Sequence, residues 1–174
     1  MDDIGLGAVG GVTAEESNWP FLVRLVLGRG LTTGTCGGTV IADEWILTAA
    51  HCCKASPFGK LIRIQITIFN KYLVQTIIGT TYWQSFKLPK IESFNHPLYV
   101  TDGHPQHNKA YDICLIKTNS ISEAAKKNRC DYGSCFGAVC LPTEPPKHGK
   151  HCWLAGYGAT KMNGQAVDDL QELD

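Results

Sequence analysis

The 174 residues carry no charge excess of either sign, 16 Lys and Arg against 16 Asp and Glu. Without a basic surplus nothing is available to hold a phosphate backbone, which excludes nucleic acid as a partner, and without an acidic surplus there is no self-repelling, solvated tail. No apolar run approaches the roughly 18 to 20 residues that a membrane helix needs, so no membrane partner is expected. Internal repeats and low-complexity tracts are absent. The first residues, Met1 to Gly7, have neither a basic nor an apolar region, so no secretory signal can be read there. Two separate C-x₂₋₄-C pairs, as a zinc-knuckle site needs, are missing too: the nearest cysteine spacings are Cys52/Cys53, Cys130/Cys135 and Cys135/Cys140, and the last two share Cys135.

What is present starts with eight cysteines, many for a reducing compartment. Their even number permits four bridges in 105 connectivities. With no two separate zinc pairs to claim them, disulfides are the expectation, and with them an extracellular setting. The length suits one domain with a sizeable core better than two independent ones. Eighteen glycines point to many tight turns.

Along the chain, alternation dominates over helical periodicity. Ile62 to Ile68 reads Ile-Arg-Ile-Gln-Ile-Thr-Ile, four isoleucines on one face, which predicts a half-buried strand. Further strands are predicted at Phe21 to Leu27, Gly38 to Ile41, Trp45 to Thr48, Tyr72 to Ile78, Ile113 to Lys117 and Trp153 to Tyr157. Short strands separated by Gly, Pro, Asn and Asp imply an all-β chain, an antiparallel barrel or sandwich. One helix-prone stretch, Ser122 to Asn128, is at most two turns long. Asn95 to Lys109, with Pro97, Gly103 and Pro105, reads as a long surface loop.

Two constellations carry chemistry. In Trp45-Ile46-Leu47-Thr48-Ala49-Ala50-His51-Cys52 a strand runs into small residues and then a histidine beside a cysteine. A firmly held imidazole is useful as a general base, and the structural alternative is a buried histidine next to a disulfide. In Tyr111-Asp112-Ile113-Cys114-Leu115-Ile116-Lys117 an Asp opens an apolar strand. An unpaired buried carboxylate is costly, so Asp112 either meets a partner such as an imidazole or ends a loop in water.

Together with Trp19-Pro20-Phe21, Cys36-Gly37-Gly38-Thr39-Val40-Ile41, His96-Pro97 with Tyr99, Val139-Cys140-Leu141-Pro142 and Cys152-Trp153-Leu154-Ala155-Gly156-Tyr157-Gly158, these blocks resemble the chymotrypsin/trypsin-like serine endopeptidases in order and spacing. The resemblance implies an antiparallel double β-barrel with the active site between the barrels. Residues 1–7 would lie outside the family, residues 8–174 would form a partial peptidase domain, the first barrel would occupy about 20–118, and a linker with the start of the second about 119–174. His51 matches the family's general base, and Asp112 matches the carboxylate that orients it. The nucleophile should follow Asp112 in a G-D-S-G-G-P block. Ser120, Ser122 and Ser134 are the only serines there, and none has that setting. Asp169 to Asp174 resembles a segment entering the next strand, so the chain reads as C-terminally truncated and inactive as written. Ala8-Val9-Gly10-Gly11 resembles the mature N-terminus, with Gly7 where a Lys or Arg would mark the activation cut. The implied activity is peptide-bond hydrolysis on protein or peptide substrates, with protein protease inhibitors as further partners. The alternative is a non-catalytic pseudoprotease that binds.

By the same resemblance Cys36 and Cys52 form the bridge at the histidine loop, worth on the order of 3 kcal/mol by loop closure. If His51 and Asp112 touch, their neighbours two positions on, Cys53 and Cys114, lie within bridging range. The alternative for Cys114 is a buried free thiol. Cys130 and Cys135 are candidates for a local bridge, and Cys140 and Cys152 match cysteines whose partners commonly lie beyond this stretch. No cofactor and no metal is expected. His104, His107 and Asp102 sit in a loop with nothing to fix their geometry, and no Asp or Glu occurs from Trp45 to Ile91 to build the acidic calcium loop of some relatives. Trp45, Trp83 and Trp153 are expected in the core or at a barrel edge rather than as substrate platforms.

Overall fold

The computed structural model describes residues 9–15, 18–29, 32–53, 63–77, 80–100, 110–128, 136–161, 167 and 169–174. Its order is β1 (Val12–Thr13), β2 (Leu22–Arg29), β3 (Thr32–Ala42), β4 (Trp45–Thr48), α1 (Ala50–Cys53), β5 (Arg63–Ile77), β6 (Thr80–Asn95), β7 (Cys114–Thr118), α2 (Ile121–Lys127), β8 (Leu154–Gly156) and β9 (Gln171–Leu173). Six strands close into a barrel in the order β2-β3-β4-β7-β6-β5, and β1, β9 and β8 make a separate three-stranded sheet. All pairings are antiparallel. The fold is all-β.

The period of two in the sequence becomes the inside and outside of the barrel. In β4 and β7, Ile46, Thr48, Cys114, Ile116 and Thr118 are buried while their neighbours are half-exposed. Ile46 sits opposite Ile116 and Thr48 opposite Cys114. Val23 and Leu25 of β2, Val40 of β3, Leu88 of β6 and Phe136 join this core, as do Ala50, Cys52, Cys53, Ile121 and Ala125. Thr48 is polar at an inward position, and its hydroxyl is satisfied by donating to the Gly37 carbonyl at 2.7 Å. Gly38 pairs with Val23, and a Cβ there would stand 2.9 Å from Ile46 Cγ2 and 3.0 Å from Val23 Cγ2. Both neighbours are β-branched and buried, so they cannot swing aside. Gly38→Ala is therefore expected to lower stability by about 1–3 kcal/mol in a urea melt, whereas Gly37→Ala, with nothing within 4 Å of its added Cβ, should cost far less.

Several predicted boundaries need correction. Tyr72 to Ile78 is not a strand of its own but the end of β5, which passes through a register shift between Asn70 and Gln75 against β6. Gly38 to Ile41 is the inner part of a longer β3, and the strand at Ile62 to Ile68 belongs to the start of β5. Strand β6 was not predicted. Its lysines and Pro89 interrupt any alternation, but long pairings with β5 and β7 hold it, as tertiary context routinely overrides local propensity in sheets. It runs to Asn95, so the loop expected from Asn95 starts one residue later, and residues 101–109, which include Asp102, His104 and His107, lie outside the described residues. Trp45 is half-buried, but Trp153 is 60% exposed and not a core residue. The side chain of Trp83 is outside the described set.

Helix α2 lies one residue earlier than predicted. Ser120 caps it, accepting from the Glu123 N–H at 3.1 Å, and Asn128 closes its end. The β3–β4 turn supports the same terminus from outside. The Asp43 carboxylate accepts from the Ser122 N–H at 2.8 Å, and the Asp43 carbonyl accepts from the Ile121 N–H. Burial pushes the Asp43 carboxyl up, but hydrogen bonds from Ser120 and Ser122 and the nearby Lys126 outweigh it, and the net shift is below the ordinary value. A carboxyl depressed on folding stabilises above its unfolded pKa and loses that contribution as pH falls through the folded one. Asp43→Ala is thus expected to cost no more than about 1 kcal/mol at neutral pH, the residue being exposed. The difference from wild type should shrink as pH drops below about 4, as measured by parallel urea melts.

Residues 12–13 and 171–172 meet in the small sheet. Val12 and Thr13 pair with Glu172 and Gln171, and the Trp19 indole N–H donates to the Glu172 carboxylate at 2.7 Å. The segment after Phe136 straps the barrel through Gly137 N–H to the Pro20 carbonyl and Val139 N–H to the Val40 carbonyl.

Candidate active site

At the end of β4 the sheet stops at Thr48, and the small residues Ala49 and Ala50 let the chain turn into α1. Ala50, Cys52 and Cys53 face inward and are buried, which leaves His51 as the outward side chain of that turn, 57% exposed. On the neighbouring strand Asp112 stands two residues before β7, between Tyr111 and Ile113. Tyr111 adopts φ +57°, a left-handed conformation that L-residues adopt at a cost. His96 stacks on its ring with centroids 4.8 Å apart and donates its backbone N–H to the Ile113 carbonyl at 2.9 Å. This tight turn sets the direction of the Asp112 side chain.

Both carboxylate oxygens of Asp112 are used on His51. Oδ1 accepts the backbone N–H of His51 at 2.9 Å, and Oδ2 lies 2.7 Å from Nδ1 of the imidazole. One contact fixes where the carboxylate sits and the other fixes the ring; against a carboxylate, which only accepts, Nδ1 is the donor and Nε2 is left as the acceptor. The Asp112 side chain is 24% exposed, so its charge is only partly screened. It acts on Tyr99 as well, whose phenol is pushed above its ordinary value by burial and by the charge of Asp112.

The remaining predicted residues fall as follows. Cys36 is bridged to Cys52, with Cα atoms 6.3 Å apart. Cys53 is bridged to Cys114, with Cα atoms 6.5 Å apart. Cys140 and Cys152 are exposed free thiols. Cys130, Cys135 and Ser134 lie outside the described residues. Ser120 and Ser122 are occupied at the N-terminus of α2, which leaves neither beside His51. Among the described residues one group has metal-ligand chemistry, Cys36, His51 and Cys52, with ligand atoms within 4.8 Å of one another. Its two sulfurs are joined in a bridge and offer no thiolate, so the group does not fit a metal.

A cleft of about 400 Å³ opens beside Asp112, floored by Gly37, Gly38 and Thr39 and walled by Ile113 and Ala155. The absence of a side chain at Gly37 keeps its floor flat. A wider concavity of about 570 Å³ is formed by residues 142–150 and shares no residue with this site.

A bidentate His–Asp contact at the rim of a closed six-stranded barrel is one of a small number of arrangements, and comparison with known proteins identifies which. The family model described as Trypsin matches residues 8–174. The chain belongs to the trypsin family. Human Serine protease 1 is 32% identical over 167 residues, covering 95% of this chain and 56% of that protein. Human Transmembrane protease serine 5 is 29% identical over 167 residues, covering 93% of this chain and 31% of that protein. Bovine Coagulation factor XI is 25% identical, covering 94% of this chain and 23% of that protein. The chain therefore spans only part of the length of these relatives. A solved structure titled "Structure of GrC" superimposes with a TM-score of 0.68 at 22% identity, covering 95% of this chain and 63% of that one, a likeness of fold. Sequence reasoning had no signal for the left-handed Tyr111 or for the His96 stack behind it, since both depend on the turn geometry.

Proposed function

We propose that the protein is a serine endopeptidase in which His51 is the general base and Asp112 the residue that orients it and stabilises the imidazolium. The observation that carries this reading is the double contact of Asp112 on the His51 backbone and ring, 2.9 and 2.7 Å. With Nδ1 engaged by the carboxylate, Nε2 is the ring nitrogen left to take a proton from a nucleophilic hydroxyl and later return it to the leaving amine. Peptide hydrolysis would then pass through an acyl-enzyme, with protein or peptide substrates and protein inhibitors as partners. The domain reading is one peptidase domain over 8–174, its first barrel at about 20–118, and the family match over those residues supports it.

Base and orienter are both within the 174 residues, while Ser120 and Ser122, the described serines that follow Asp112, sit at the N-terminus of α2. The chain by itself is accordingly expected to form no acyl-enzyme, and the nucleophile to be supplied from outside these residues. An extracellular setting fits the two bridges, and no helix among the described residues is long and apolar enough to cross a membrane. The test is hydrolysis of a mixed peptide library by the protein isolated from its natural source. Cleavage abolished by His51→Ala supports the endopeptidase. No cleavage by an intact, folded protein supports a non-catalytic binding homologue instead.

A further inference from the structure

Two bridges hold the short turn that bears His51, and they do different things. Cys36–Cys52 joins that turn back to β3, the strand already paired with β4. Cys53–Cys114 joins it forward to β7, the strand that Asp112 introduces. His51 and Asp112 are 61 residues apart along the chain, but through the second bridge they are separated by two residues on either side of a single S–S bond.

The sheet does not supply that connection. Pairing between β4 and β7 ends at Thr48 opposite Cys114, so both His51 and Asp112 lie past the last paired residues. Packing does not supply it for the imidazole either, because that side chain is more than half exposed. What is fixed by packing is the bridge itself, since Cys53 is 6% and Cys114 0% exposed. A cross-link so enclosed is a permanent strut rather than one that thiols in solution open and close.

We propose that Cys53 and Cys114 are the positioning residues of the His51–Asp112 pair, their bridge holding the turn of the base against the segment of its carboxylate at hydrogen-bonding distance. This rests on the assignment of His51 and Asp112 as base and orienter, but its test needs neither substrate nor nucleophile, so the two can fail separately. Among the described residues, Tyr99 feels the charge of Asp112 and His96 stacks on Tyr111. Neither is linked covalently to the pair, and neither replaces the strut.

The experiment is proton NMR of the oxidised 174-residue chain with ¹⁵N-labelled histidine. A proton shared between Nδ1 and a carboxylate gives a far-downfield resonance whose exchange with water reports how often the contact opens. In Cys53→Ala/Cys114→Ala that resonance should disappear, or exchange on the order of tenfold faster or more. It should persist in Ile121→Val, a core change in α2, outside both segments, that lowers stability. Cys53→Val/Cys114→Ala restores lost volume without the bond and should behave like the first variant. Both are recorded with an excluded osmolyte to keep them folded. A downfield proton unchanged in position and exchange in either folded double variant would overturn the proposal. So would failure of both to fold under these conditions, because the bridge would then be holding the barrel and not the pair.

Discussion

Asp112→Asn in the natural protein is expected to lower kcat for peptide hydrolysis by about 10⁴-fold with little change in KM. The substitution keeps the size and one acceptor. An amide oxygen can still take the His51 backbone N–H, now received by Oδ1 at 2.9 Å. The other half of the amide is a donor and faces Nδ1, which Oδ2 meets at 2.7 Å in the wild type. Nδ1 must then act as acceptor, the proton moves to Nε2, and the nitrogen that should take the nucleophile's proton is already protonated. The loss falls on kcat because the changed contact matters when charge develops on the imidazole and not while substrate binds. Steady-state kinetics on a peptide amide at neutral pH checks this. A fall of only a few-fold would mean that Asp112 is a structural partner of His51 and no more. Asp112→Ala should be worse for stability as well, since it leaves the His51 N–H without its acceptor.

Removing the two bridges singly should destabilise the chain in a defined order. In the chain-entropy account the cost grows with the loop a bridge closes. Cys36–Cys52, with a separation of 16 residues, is worth about 3 kcal/mol, and Cys53–Cys114, with a separation of 61, about 4 kcal/mol. Burial adds in the same direction, because Cys114 is fully enclosed and truncation to Ala empties space in the core. Urea melts of Cys53→Ala/Cys114→Ala and Cys36→Ala/Cys52→Ala should therefore give the lower midpoint for the former. The reverse order would show that the His51 turn is anchored chiefly to β3.

The parts of the fold legible in the sequence are those where local pattern and burial agree. Ile46 and Thr48 alternate with Trp45 and Leu47, and Cys114, Ile116 and Thr118 with Leu115 and Lys117, so β4 and β7 appear in the residues within one position. Helix α2 appears too, because Glu123 to Lys127 are good helix formers with a serine at the cap. Strand β6 does not appear, since Pro89 and the charged Lys87, Lys90 and Glu92 around it mask a strand that exists through its two neighbours. Within the site, His51 and Asp112 stand out by their flanking blocks and were joined through resemblance. Their double contact, the left-handed Tyr111 and the His96 stack are three-dimensional facts with no local pattern to announce them.

The central claim is that His51 and Asp112 serve a serine nucleophile, and covalent labelling with a fluorophosphonate reaches it most directly. The protein from its natural source and the 174-residue chain are treated side by side, and the modified residue is located by peptide mass spectrometry. The account predicts labelling of the natural protein at one serine outside these 174 residues, lost in His51→Ala, and no specific labelling of the 174-residue chain. Labelling at Ser120, Ser122 or Ser134, or no labelling of the folded natural protein, would contradict it.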